Sequence, residues 1–122
     1  MTLMCRGLRG APTADGNTKE AVLEATHELL QHLVDSNKFN KEDVAATFFT
    51  TSPDLNAEFP AVAARQMGWE HVPLMCGHEM TVPDGLSLCI RVMILINTEK
   101  SPQEMNHGYL RGAINLRSRG VS

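Results

Sequence analysis

Arg91 stands in the middle of CIRVM (89–93), inside the most apolar stretch of the chain, LSLCIRVMILIN (86–97). A guanidinium among aliphatic side chains is costly to desolvate, so it must meet an anion. Two sources are open: an Asp or Glu of the same chain, or the carboxylate of a ligand. The chain holds seven arginines against four lysines. The planar fork of arginine suits a carboxylate gripped in fixed geometry, which an ammonium cannot match. Other reactive groups offer less. Cys76 and His78 lie close in sequence, but no second pair completes a metal site. His78–Glu79 does not begin an HExxH motif, since position 82 is Val82. Cys76 would need a partner base to act as a nucleophile and is read as pocket lining or a weak donor. No metal or cofactor is expected. The chemistry on offer is the binding of an anion and the stabilisation of charge.

The elements that must position Arg91 follow from pattern. Residues 2–9 predict a strand that ends at Gly10. Asn17, with Glu20 three residues on, predicts a helix start. Val22, Leu23, Ala25, Leu29, Leu30, Leu33 and Val34 share one half of the helical wheel as far as Ser36, and the acidic residues share the other. Residues 44–51 (VAATFFTT) read as a strand, with Phe48 and Phe49 both expected in the core. Pro60 and Gly68 bracket a short helix over 60–67. A strand over 71–76, a turn at Pro83–Asp84–Gly85, a strand over 86–97 and a short helix near 102–107 complete the series. Residues 109–117 fit helix and strand equally. Arg6, Arg111 and Arg119 read as surface charges.

In the strand over 86–97, Leu88, Ile90, Val92, Ile94 and Ile96 share one face, while Cys89, Arg91, Met93 and Leu95 share the other. Both faces are apolar, so both need cover. One long helix and a few short ones cover only one face of the sheet. The other is most economically covered by further copies of the same chain.

Bulk properties narrow the class. With 122 residues, 43% hydrophobic and 20% charged, the chain fits one domain over 1–122. A net charge of −3 gives no basic face for nucleic acid. No apolar run approaches the ~20 residues of a membrane span. MTLMCRGLRG lacks the form of a signal peptide. The odd, scattered cysteines Cys5, Cys76 and Cys89 argue for a reducing compartment, the cytoplasm.

Several blocks, in order and at matching spacing, carry a resemblance: RGLRGA at 6–11, SPDLNAEFPAVAAR at 52–65, VPLMCGHEM at 72–80, CIRVM at 89–93, Tyr109, and Leu116–Arg117. Over nearly its whole length the sequence resembles the AroH-type, trimeric chorismate mutases. The resemblance implies an α+β fold in which a mixed β-sheet has one long and several short helices on one face and assembles as a pseudo-α/β-barrel homotrimer. It implies the cofactor-free pericyclic rearrangement of chorismate to prephenate, in aromatic amino-acid (Phe/Tyr) biosynthesis, with sites between subunits. It assigns a substrate carboxylate to Arg9, the ether oxygen and a carboxylate to Arg91, and the ring hydroxyl to Glu79. Tyr109 contacts substrate by the same resemblance, and Met75 and Cys76 line the pocket. Phe59, Ala61 and Arg65 form the wall and rim from the adjacent chain, and Leu116 and Arg117 close over the site. Val62 stands where some members carry Lys. The runner-up reading is a non-catalytic trimeric module for small carboxylates, or an imine-deaminase-like protein of the same architecture.

Overall fold

Alternating and helical periods divide the chain into β1 (Met4–Ala11), α1 (Lys19–Asn37), β2 (Val44–Thr51), α2 (Ala61–Gln66), β3 (Leu74–His78), β4 (Ile90–Thr98) and β5 (Gly108–Tyr109). The structure is a computed structural model and describes residues 2–116. Arg117 and Arg119 therefore lie outside the described residues. Short 3-10 turns at Lys41–Asp43, Pro102–Glu104 and Arg111–Ala113 complete the elements.

The five strands form one mixed sheet in the order β3-β2-β4-β1-β5. The central strand β4 runs antiparallel to β1 and β2, whereas β3 lies parallel to β2 and β5 parallel to β1. The alternation of β4 sends Ile90, Val92, Ile94 and Ile96 to one face, where they are almost fully buried. There they join Leu8, Phe49, the buried stripe of α1 (Val22, Ala25, Leu29, Leu30, Leu33) and Ala61 and Ala64 of α2 in one core. Each fully buried aliphatic side chain contributes roughly 1.5–3 kcal/mol of transfer free energy, so this layer holds the sheet to the helices.

Two glycines set how closely α1 approaches. A Cβ on Gly10 would stand 2.5 Å from the Gly108 carbonyl and 3.0 Å from Leu29, and one on Gly108 would meet His32 at 2.8 Å. Bare backbone here lets β1 and β5 pair under the helix at Gly10↔Gly108 and Ala11↔Tyr109. The far end of α1 is tied down by buried Asn37. Its amide donates to the Leu33 and Asn106 carbonyls, and its Oδ1 accepts from Asn106 N–H.

Four local expectations change. The N-cap of α1 is Thr18, whose hydroxyl accepts from Ala21 N–H. Asn17 is drawn away to the 56–57 loop, where its Oδ1 takes the N–H groups of Asn56 and Ala57. The last strand of the apolar run begins at Ile90, not at 86. Leu88 sits in the left-handed region (φ 51) and turns the chain before pairing starts. Finally, Phe48 is 39% exposed, because Phe49 takes the core-facing position of β2. In the ambiguous region, Tyr109 ends the two-residue strand β5 and a 3-10 turn follows at Arg111–Ala113.

Candidate active site

The second face of the sheet carries no helix among the described residues. Cross-strand partners share a face, so Gly7 and Arg9 of β1 lie with Leu95 and Met93 of β4, Phe48 with Met93, and Thr50 with Arg91. Met75 of β3 pairs with Phe48 and is 64% exposed. Phe48, Met75, Met93 and Leu95 thus make an apolar field in which Arg9 and Arg91 are the cations. Arg9 stands opposite Met93, two residues from Arg91 along β4, which makes the arginines diagonal neighbours on adjacent strands.

Arg91 has an anion from its own chain. Its Nε lies 3.5 Å from Glu79 Oε2, and the two side chains are 44% and 34% exposed. The guanidinium expected to be buried is thus half-open, because no described residue covers it. Glu79 follows the end of β3 and is anchored by its own N–H donating to the Thr51 carbonyl at 2.7 Å. The Thr50 hydroxyl donates to Glu79 Oε2 at 2.7 Å. Both contacts use one oxygen; among the described residues Oε1 has no hydrogen-bond partner. No described carboxylate pairs with the Arg9 side chain. Its backbone N–H is held by His107 Nδ1 at 2.9 Å.

Beside Arg91, Cys89 packs with Ala11 and Ala113, and against these lie Tyr109, Leu86 and Leu116. Burial pushes the Cys89 thiol up, against the neighbouring Arg91 guanidinium, which pulls the other way. A cleft of about 380 Å³ opens here, lined in part by Asp54, Glu79, Leu86, Cys89 and Arg91. A second cleft of about 350 Å³ lies by the start of α2, lined in part by Asn56, Phe59, Pro60, Cys76 and His78. Phe59 projects there at 65% exposure. Burial raises the Cys76 thiol, while the Ala61 N–H and the nearby Arg65 charge oppose that rise. Among the described residues no cluster of three or more His, Cys, Asp or Glu is placed to hold a metal.

Comparison with known proteins decides the family. The family model described as chorismate mutase type I matches residues 5–119. The chain belongs to the type I chorismate mutases. It is 40% identical over 116 residues to chorismate mutase AroH of Bacillus subtilis, covering 94% of this chain and 91% of that one. It is 44% identical over 115 residues to chorismate mutase AroH of Thermus thermophilus, with 93% and 94% covered. A solved chorismate mutase from Clostridium thermocellum superposes with a TM-score of 0.86 at 42% identity, covering 88% of this chain and 96% of that one. The mixed sheet with its two helices is thus a chorismate mutase fold.

The residues singled out from the sequence fall into two groups on this chorismate mutase chain. Arg9, Glu79, Arg91, Tyr109 and Leu116 gather around β1, β4 and β5. Phe59, Ala61, Arg65 and Cys76 gather around α2 and the core-facing side of β3, where Cys76 pairs with Phe49. Met75 lies on the open face between them. Arg6 and Arg111 make contacts within the chain: Arg6 Nε donates to the Lys100 carbonyl, and Arg111 pairs with Asp15, Glu24 and Glu28. Sequence reasoning missed Thr50, Ser52 and Asp54 as neighbours of the charged pair. For Thr50 a signal existed, since alternation puts it on the face of Phe48. For the others the contacts are long-range and left no local mark.

Proposed function

We propose that the catalytic site of this chorismate mutase is completed between neighbouring copies in a homotrimer. There Arg9, Glu79 and Arg91 of one chain face Phe59, Ala61, Arg65 and Cys76 of the next. As a chorismate mutase the chain isomerises chorismate to prephenate, a step toward phenylalanine and tyrosine. The observation that carries the site reading is the pairing of Arg91 with a half-used carboxylate, with Arg9 as its diagonal neighbour, on an apolar face that no described α-helix covers.

The rearrangement breaks one C–O bond and forms one C–C bond within a single molecule. It needs neither nucleophile nor proton transfer, so no cofactor is required. The protein can hold the compact chair-like conformer and stabilise the charge that develops. Bond breaking runs ahead of bond making, and negative charge grows on the ether oxygen. Arg91, held in place by Glu79, supplies the cation there and gains strength as the reaction proceeds. Arg9, which has no carboxylate partner among the described residues, takes a substrate carboxylate. Glu79 Oε1 accepts the hydrogen bond of the ring hydroxyl, while Thr50 and Arg91 hold the other oxygen. Tyr109 donates to substrate from the edge strand. Met75 and Cys76 line the pocket, and Leu116 and Arg117 close it.

The uncovered face supports assembly, because an apolar sheet face of this kind is stable in water only when covered. Three such faces turned inward make the pseudo-α/β-barrel. Cytoplasmic location fits three free cysteines, Cys5, Cys76 and Cys89. No described helix is long and apolar enough to cross a membrane.

Subunit complementation tests the shared site. Arg9→Ala and Arg65→Ala chains, each nearly inactive alone, should regain chorismate turnover when mixed, unfolded and refolded together. Mixed trimers would contain sites free of both substitutions. If the mixture stays as inactive as its parts, the two residues act in one chain and the shared site is wrong.

A further inference from the structure

The segment that enters β4 is held in an unfavourable conformation by two side chains of the loop after β2. Leu88 takes φ 51, a region that costs a residue with a Cβ roughly 1 kcal/mol or more. Both Asp54 carboxylate oxygens accept from the Leu88 N–H, at 3.1 and 3.0 Å. The Ser52 hydroxyl accepts from the Cys89 N–H at 2.9 Å and donates to Asp54 Oδ1. The Ser52 N–H in turn donates to the Cys89 carbonyl at 2.9 Å. From the other side Ala14 N–H takes the Leu88 carbonyl, and Ile90 N–H reaches the Pro12 carbonyl. The backbone two residues before Arg91 is therefore fixed on both flanks. Just before this loop, at the end of β2, the Thr50 hydroxyl fixes Glu79. One five-residue stretch, 50–54, thus sets both ends of the Glu79–Arg91 pair.

We propose that Ser52 and Asp54 are positioning residues for Arg91: they hold Leu88 and Cys89 in the one backbone geometry that aims the guanidinium at the reacting ether. This rests on the reading of Arg91 as the cation at that oxygen. The clamp need not touch substrate. A preorganised donor loses its value when its backbone shifts, and a displacement of about 1 Å can cost on the order of 10²-fold in rate. The Ser52 hydrogen bond, with the Leu88 N–H, keeps the Asp54 carboxyl below the ordinary aspartate range. The clamp is therefore ionised throughout the neutral range, with Glu79, Cys89 and Arg91 as the titratable and charged groups along the cleft.

The test is a double-mutant cycle on the full chain, with kcat, KM and melting temperature measured for Asp54→Ala, Arg91→Ala and the double variant. Asp54→Ala should lower kcat about tenfold with KM close to the parent, while the melting temperature falls by a few degrees as the Leu88 N–H loses its acceptor. In the Arg91→Ala background the same change should cost less than twofold, because the group it aims is gone. Asp54→Asn, which keeps one acceptor for Leu88 N–H, should lose only a few-fold and stands in if the alanine variant folds poorly. Equal losses in both backgrounds, or an unchanged kcat in Asp54→Ala and Asp54→Asn, would overturn the clamp. Near-parental kcat in Arg91→Ala alone would instead overturn the reading of Arg91 and take the proposal with it, a result distinct from failure of the clamp.

Discussion

The two faces of the sheet share strands but obey different rules. On the helix side, Leu8, Phe49, Ile90 and Ile94 are sealed within one chain, and their positions follow from local pattern. On the open side, Phe48, Met75 and Met93 sit beside Arg9 and Arg91, and Phe48, Met75 and Arg91 are each well exposed. The first face makes the chain fold. The second is unfinished, and its charged residues are available because no described α-helix covers them. A sheet that spends one face on stability can keep the other for a partner and a ligand.

That division should appear as separable losses. The largest belongs to the closed face: Ile94→Ala removes a fully buried side chain and should cost about 2–5 kcal/mol in urea denaturation at fixed chain concentration. Turnover per folded chain should change far less. A folded Ile94→Ala protein with turnover abolished would show that the faces are not separable.

Arg91→Ala should do the reverse. Its half-exposed side chain adds little to folding, so the melting temperature should move by only a few degrees. Losing one preorganised donor costs ~10²–10³ in kcat. Arg91→Lys should be nearly as damaging, since an ammonium lacks the fork. Arg9→Ala should raise KM at least as much as it lowers kcat, because a carboxylate is charged in ground and transition states alike. Steady-state chorismate kinetics separate these outcomes. Weaker binding with normal kcat in Arg91→Ala would reject the electrostatic assignment.

Assembly comes next. Sedimentation of the parent should give three times the 13.4 kDa chain mass. Phe48→Asp, a change on the open face, should move that value toward one chain while the far-ultraviolet dichroism stays native. A Phe48→Asp trimer as stable as the parent would mean that subunits meet elsewhere.

The smallest effect is expected at the thiols. Burial raises both Cys76 and Cys89, so neither is a thiolate near neutral pH. Cys76→Ser should keep most activity, and kcat should show no rise between pH 7 and 9 that tracks a thiol titration. Complete loss in a folded Cys76→Ser protein would indicate covalent chemistry.

Much of this is legible in residue type and spacing. The stripe of α1 and the alternation of β4 appear in the sequence because burial imposes periods of 3.6 and 2 on hydrophobicity. Arg91 drew attention by breaking that alternation with a charge. Boundaries fared worse. Asn17 has the chemistry of an N-cap, yet its side chain binds the 56–57 loop, and Thr18, equally suited, takes the cap. The apolar run from 86 gave no sign that Leu88 would turn the chain. Phe48 and Phe49 are chemically identical, and only pairing register decides which one meets α1 and which faces outward.

The sequence by itself determined the long helix and its buried stripe, the two-sided apolar character of β4 and, through the ordered blocks, the family. These are properties of residue type and spacing, which the chain carries without folding. Tertiary structure alone decided which carboxylate meets Arg91, that Thr50 holds that carboxylate by the same oxygen, and that Ser52 and Asp54 clamp the turn before it. Those contacts join residues 12 to 37 positions apart in sequence. No local period encodes such a pairing; it exists only once the sheet order β3-β2-β4-β1-β5 sets the end of β2 against the start of β4.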